Sequence, residues 1–299
     1  MFIKDNKKNK KEDNENKFHF EESSQLKTFF VKLYISSLIN NHICCEGPTG
    51  KGKTITAIEC SKYSSLDYQI HNFHSETKPY HFFGLEKSFL DLSEGNIIIS
   101  AKEGKFFIAD EFNLCEISTM ESLIPLINMI PNIKVYIPGI EEPIKIHENF
   151  FFIACQNNIG NEGRKNIPLS LKLQKVEYPN INNEEEIGLI CEKINDDIYE
   201  NYKINNENLQ KINNSKKFGK FMLEFNKLEI EGIQQISLRD IKKIYKRYYY
   251  QKCQENYFEN INIYHNLLFY LLFQISKKYM KIPFKKINEL MKFQNLMII

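Results

Sequence analysis

Apolar residues recur along the chain at two different spacings, and the alternation between them outlines a layered architecture. Residues 18–41 carry Leu26, Phe29, Phe30, Leu33, Ile35, Leu38 and Ile39 at roughly helical intervals, which predicts an amphipathic helix laid over a sheet. Short, nearly continuous apolar runs come next at 42–45, 106–109 and 150–155, each with the length of a buried strand, and residues 68–73 are a further candidate strand. Helical stretches separate them, among them residues 55–63. Strands alternating with helices predict an α/β fold with a three-layer αβα arrangement around a parallel sheet. Between the third and fourth strands, residues 133–147 (IKVYIPGIEEPIKIH) alternate around a Pro-Gly turn, which predicts an inserted hairpin.

The texture changes after Pro179. Ile187, Ile190, Cys191, Ile194 and Ile198, then Phe218, Phe221, Met222 and Phe225, keep helical spacing within long polar stretches, so a small helical domain is expected over 180–299. The α/β domain is expected over 18–179. Residues 1–17 are a charged, Asn-rich tail with nothing to bury, for which disorder is expected. Residues 266–275 are apolar, but they fall short of the roughly 18 residues of a membrane span and read as a buried helix. The final apolar residues 296–299 suit either the end of a buried helix or a chain that continues.

Composition narrows the function classes. The 40 basic and 38 acidic residues leave a formal charge of +2, so no global field recommends DNA, RNA or an anionic membrane as partner. The seven cysteines show no CxxC spacing and mostly sit in apolar runs, as buried thiols of a reducing compartment do. The N-terminus lacks the apolar core of a signal peptide. Tyr248, Tyr249 and Tyr250 beside Lys246 and Arg247 have the letters of a nucleic-acid surface, yet a helix with one packed face and one wet face has the same letters.

Two motifs carry chemistry. Residues 47–54 (GPTGKGKT) fit GxxxxGK[ST], a loop that wraps nucleotide phosphates, and they stand between a strand and a helix as that motif requires. The loop of Gly47, Pro48, Thr49, Gly50, Lys51 and Gly52 would wrap the phosphates, turning its backbone N–H groups, which Pro48 lacks, toward phosphate oxygens. Lys53 would reach the β and γ phosphates, and Thr54 would offer its hydroxyl to Mg²⁺. Residues 106–113 (FFIADEFN) read as a buried strand delivering two carboxylates at its tip. Asp110 would hold Mg²⁺ through its water shell, and Glu111 would orient and deprotonate the attacking water. The alternative for the acid pair is a helix N-cap.

Further segments, in order along the chain, resemble one branch of the AAA+ ATPases, the midasin and dynein-related one. EGPTGKGKT is similar to the midasin loop EGPTSSGKT, and residues 100–114 are similar to its A-x-x-x-G-x-(h)₄-DE-x-N-L segment. Residues 150–158 (FFFIACQNN) end in an amide where AAA+ proteins carry their sensor-one Asn, which falls on Asn157. Residues 163–172 resemble the branch's GRK-x-(I/L)-P segment. Residues 237–243 (SLRDIKK) resemble its LRD sensor-two helix, so that Arg239 would touch the γ-phosphate. The resemblance spans roughly residues 20–250. It implies an AAA+ P-loop NTPase fold with a small C-terminal lid, and ATP and Mg²⁺ as cofactors. It also implies other AAA modules in a ring as partners, with no membrane or direct nucleic-acid partner. The midasin type further implies remodelling of large ribosomal subunit precursors (pre-60S particles) and release of their assembly factors, in the nucleus or nucleolus. At 299 residues the chain would be one module or a fragment.

One departure bears on catalysis. The family's L-x-N-R-F, whose Arg reaches into a neighbour's site, is LKLQKVEY here, with Gln174 at the Arg position. An arginine finger is worth several orders of magnitude, so the neighbour's site would be slow unless Lys172, Lys175 or Arg164 substitutes. A nucleotide-binding structural module with little turnover is therefore an alternative, as is a dynein-like or MoxR-like ATPase.

Overall fold

Runs of consecutive apolar residues become central strands of a parallel sheet, because both faces of such a sheet are covered and every position along the strand is buried. The computed structural model describes residues 23–86, 92–138, 140, 142–158, 163–181, 183–204, 209, 211–212, 216–227 and 236–253. The expectations for residues 1–17, 266–275 and 296–299 lie outside the described residues. The chain divides into two compact units, one within Asn16–Ile181 and the other within residues 182–299.

In the first unit, helix α1 (Ser24–Leu38) leads into strand β1 (Ile43–Glu46), helix α2 (Lys53–Tyr63) and strand β2 (Tyr68–Asn72). A one-turn helix α3 (Tyr80–Phe83) and a hairpin of β3 (Gly84–Glu86) with β4 (Leu92–Glu94) come next. Helix α4 (Asn96–Glu103) and strand β5 (Phe106–Asp110) precede the short helices α5 (Ile117–Glu121) and α6 (Ile124–Ile127). Strands β6 (Lys134–Val135) and β7 (Ile144–Lys145) form the antiparallel hairpin that the Pro-Gly turn implied. Strands β8 (Phe151–Gln156) and β9 (Gln174–Glu177) complete the unit.

The main sheet has the order β2-β5-β8-β1-β9, with every neighbouring pair parallel. All four expected strands are present, and β9 is a fifth. Its residues are mostly exposed, so it has no apolar run to reveal it, and the β3–β4 hairpin likewise has no clear alternation. Alternate residues of β5 and β8 face opposite layers. Phe107, Ala109, Phe152 and Ala154 enter a cluster with Ile97, Ile98 and Ala101 of α4 and with Val135 and Ile144 of the hairpin. The Phe107 and Phe152 rings stack at 5.8 Å. The alternate positions, with Phe106 5.1 Å from Phe151, point to the other face, where α2 packs.

Helix α1 is capped by Ser23, whose side chain accepts the N–H of Leu26. Leu26, Phe29, Phe30 and Leu33 are buried as expected, but Ile35, Leu38 and Ile39 are 50%, 63% and 65% exposed. The reason is angular: the stripe through Leu33 continues at Ser36, which is buried, while Ile35, Leu38 and Ile39 fall on the flank that carries Val31. His42 is buried, its Nδ1 accepting the N–H of Phe152 at 3.1 Å. The described cysteines are all free thiols, and all but Cys253 are buried.

In the second unit, helices α8 (Lys216–Lys227) and α9 (Leu238–Cys253) pack on α7 (Glu184–Lys203). Asn183 caps α7, accepting from the N–H groups of Glu185 and Glu186, and three glutamates in the first turn complement the helix dipole. Tyr249 lies in this unit's core. Its hydroxyl donates to Asn195 Oδ1 (2.7 Å) and accepts the N–H of Ile212 (3.1 Å), so it is unavailable to stack on a base. No helix among the described residues is long and apolar enough to cross a membrane.

This packing has two measurable outcomes. Burial lowers His42 from its ordinary 6.5 to about 4, so the unfolded chain takes up a proton before the folded one does. Stability is full above pH 6.5 and falls as pH drops toward 4, by up to roughly 3 kcal/mol from this group. In His42→Gln, chemical denaturation across that window should be flatter than in wild type; an identical slope would exclude His42 as the source. At Gly219 of α8, a Cβ would meet Gly188 N at 2.6 Å and Gly188 Cα at 2.8 Å. Ala for Gly in a helix normally gains about 1 kcal/mol, but overpacking against backbone costs about 1–3. Gly219→Ala should therefore lower the denaturation midpoint.

Candidate active site

The parallel register brings three strand ends to one edge. Glu46 pairs with Gln156, and Asp110 with Cys155, so the segments leaving β1, β5 and β8 emerge side by side. After β1 the chain turns through the glycine-rich loop, whose Gly47 N–H donates to the Gln156 carbonyl at 3.2 Å. Gly50 and Gly52 take φ of 74° and 106°, values that β-carbons disfavour, and Gly52 is the N-cap from which α2 starts. The loop thereby leads straight into a helix N-terminus, the backbone arrangement that favours an anion.

Lys53, the first residue of α2, is 8% exposed and does not extend into solvent. Its Nζ donates to the carbonyls of Gly47 (2.8 Å) and Pro48 (2.8 Å) and to Asn157 Oδ1 (2.7 Å). Burial lowers its pKa, as it does that of Lys51. Asn157, just beyond β8, is buried, and its Nδ2 donates to Glu111 Oε1 at 2.5 Å. The other oxygen of Glu111 meets Arg164 Nη2 at 3.4 Å. A continuous polar chain therefore runs Lys53–Asn157–Glu111–Arg164. Beside it, the Thr54 hydroxyl donates to Asp110 Oδ1 at 2.9 Å.

Glu111 holds φ 53° and ψ 36°, a left-handed conformation that costs a non-glycine residue of order 1–3 kcal/mol. Instead of capping a helix with its side chain, as the alternative reading of the acid pair would have it, Glu111 turns toward Asn157 and Arg164. Thr54 and Asp110 offer two hard oxygens side by side. That donor set fits Mg²⁺, which is usually held by one or two protein oxygens together with substrate phosphates and water.

Residues 42–173 match the family model described as an AAA domain of the dynein-related subfamily. Midasin of Dictyostelium discoideum is 32% identical over 85 residues, covering 28% of this chain and 1% of that protein. NtrX of Brucella abortus, solved in complex with ADP, superposes with a TM-score of 0.55 at 14% identity, over 81% of this chain and 53% of that one. The chain thus spans about half of NtrX and about a hundredth of Midasin. Residues 42–173 are an AAA domain of the dynein-related subfamily. The fold is that of a P-loop ATPase.

The AAA domain gathers Lys53, Thr54, Asp110, Glu111 and Asn157 at one edge. Arg239 belongs to the other unit, exposed in the first turn of α9. Around it, Ser237 and Asp240 form a reciprocal cap: Ser237 N–H donates to Asp240 Oδ2 (3.1 Å) and Asp240 N–H to Ser237 Oγ (3.3 Å). Two letters of the SLRD motif therefore start the helix that carries Arg239. Gln174 opens β9, its Oε1 accepting from Asn41 Nδ2 at 2.5 Å. Arg164 is engaged by the chain's own Glu111.

Sequence reasoning missed two residues of the AAA domain. Asn113 Nδ2 donates to the Asn157 carbonyl (2.9 Å), and its own carbonyl accepts the N–H of Lys165 (2.8 Å), which fixes Asn157 and Arg164 relative to β5. Gln156 Nε2 donates to Glu46 Oε2 at 3.1 Å. The Asn of DE-x-N-L was the available signal for the first.

Asn157→Ala would take one acceptor from the Lys53 ammonium and one donor from Glu111. The loss costs of order 1–3 kcal/mol at buried Lys53 and less at Glu111, whose side chain is 29% exposed. The thermal midpoint of the ligand-free chain should fall, whereas an unchanged midpoint would mean that Asn157 does not bridge the two groups.

Proposed function

We propose that this chain is an Mg²⁺-dependent ATPase module of midasin-like type. The observation that carries the reading is the convergence of Lys53, Asn157 and Glu111 in one hydrogen-bonded chain beside the Thr54–Asp110 pair. The loop of residues 47–52 wraps the phosphates, with the backbone N–H groups of residues 49–52 donating to them, and Lys53 moves from the carbonyls of its own loop to the terminal phosphates of ATP. Thr54 and Asp110 would hold Mg²⁺, which would supply charge neutralisation at the phosphates. Glu111 orients the attacking water and takes its proton, which requires one of its oxygens to be freed. Asn157 fixes Glu111 relative to Lys53. Arg239, as a sensor-two residue, reads the γ-phosphate from the helical unit, so that nucleotide state sets the arrangement of the two units.

Likeness to Midasin supports a finer version: the module works in a ring with other AAA modules, powering release of assembly factors from pre-60S particles in the nucleus. A second reading is a nucleotide-binding ring module with little turnover. It is favoured by Gln174, which carries no charge for a neighbour's site, and by the engagement of both Glu111 oxygens.

ATP turnover measured against protein concentration, with and without Mg²⁺, separates the two. The ATPase reading expects Mg²⁺-dependent turnover that rises with concentration, falls about 10²–10⁴-fold in Glu111→Gln, and vanishes in Lys53→Ala. Turnover equal in wild type and Glu111→Gln would support the low-turnover module. Wild type indistinguishable from Lys53→Ala would contradict ATP hydrolysis.

A further inference from the structure

Arg164 is poorly satisfied where it stands. Its side chain is 12% exposed, and a guanidinium that far from water needs several acceptors. Among the described residues it has one long contact, Nη2 to Glu111 Oε2 at 3.4 Å, although its planar fork is built for two parallel bonds to an oxyanion. Its Nε is buried and meets no acceptor among the described residues. The next residue offers a contrast: Lys165, more exposed, makes a short ion pair with Glu116. The backbone leaves Arg164 little freedom to withdraw, because the N–H of Lys165 is held by the Asn113 carbonyl beside the site.

The anion that Arg164 lacks is one that Lys53 would share, since the two side chains terminate a single polar chain through Asn157 and Glu111. We propose that Arg164 is a ligand of the terminal phosphate of ATP, held on Glu111 until that phosphate binds. This rests on the ATP reading and adds a discriminating residue to it: Arg164 makes the site prefer triphosphate over diphosphate. Its transfer also frees Glu111 Oε2 from its ion pair. Glu111 and the phosphate compete for one guanidinium.

That competition is measurable without turnover. Calorimetric titration of the full chain with Mg²⁺ and a β,γ-imido ATP analogue, and separately with ADP, gives the two affinities. In Arg164→Ala the analogue should weaken about ten- to a hundredfold while ADP changes little, and Arg164→Lys should recover part of the loss. Glu111→Gln should tighten the analogue when Arg164 is present and lose most of that effect in the Arg164→Ala background. Equal loss of analogue and ADP in both Arg164 variants, no loss of either, or the same tightening by Glu111→Gln with and without Arg164, would overturn the proposal. Should Arg164→Ala fail to fold, Arg164→Lys carries the comparison alone, and an unchanged analogue-to-ADP ratio in it counts against the proposal. A wild type that binds neither ligand better than Lys53→Ala overturns the ATP reading as well, whereas one that binds both with Arg164 irrelevant overturns only the role of Arg164.

Discussion

The parallel register of β1, β5 and β8 is the constraint on which the rest depends. Parallel strands need covering on both faces, which is why these segments are runs of Phe, Ile, Ala and Cys without a polar break until their last residue or beyond. Because the strands also run the same way, the polar residue that ends each run arrives at the same edge. Burial thus acts twice: it makes the sheet, and it gathers Glu46 with the glycine loop, Asp110 with Glu111, and Gln156 with Asn157. A register slip of one residue would turn each of these side chains to the opposite face.

What the edge holds is expensive to bury. An ammonium and a guanidinium, both largely removed from water, are kept in place by carbonyls, one amide and one carboxylate. The desolvation of each ion costs several kcal/mol, offset for Lys53 by three close acceptors and only partly for Arg164. Glu111 adds a strained left-handed backbone. Strain and incomplete satisfaction concentrated at one edge of an otherwise close-packed unit are the pattern of a site shaped for a ligand. The second unit has no comparable cluster among its described residues. Asn195 and Tyr249, both buried there, satisfy each other and the backbone at Ile212.

How legible this was in the sequence differed by element. Apolar runs revealed the central strands, since burial on both faces leaves an unmistakable signature, and the glycine loop and acid pair marked the candidate site. The edge strand β9 was not legible: at a sheet edge one side is wet, and Gln174, Lys175 and Glu177 carry no strand pattern. The limits of the α1 core stripe were misjudged because Ile35, Leu38 and Ile39 are apolar yet lie on the flank, while Ser36 continues the buried face. Asn157 was located through the resemblance to the AAA+ sensor-one segment at the end of a buried strand. Its two-sided bond to Lys53 and Glu111, and the turning of Arg164 onto Glu111, depend on loops whose course no spacing rule gives.

The most direct test of the account is the thermal unfolding midpoint of the chain with Mg²⁺ and ATP against Mg²⁺ and AMP. A ligand present at about a hundred times its dissociation constant stabilises the folded state by roughly 2.7 kcal/mol. The account predicts a clear upward shift with ATP, little with AMP, which has no β or γ phosphate for Lys53, and none in Lys53→Ala. Equal shifts for ATP and AMP, or a shift that survives Lys53→Ala, would contradict the claim that this edge of the sheet is a triphosphate site.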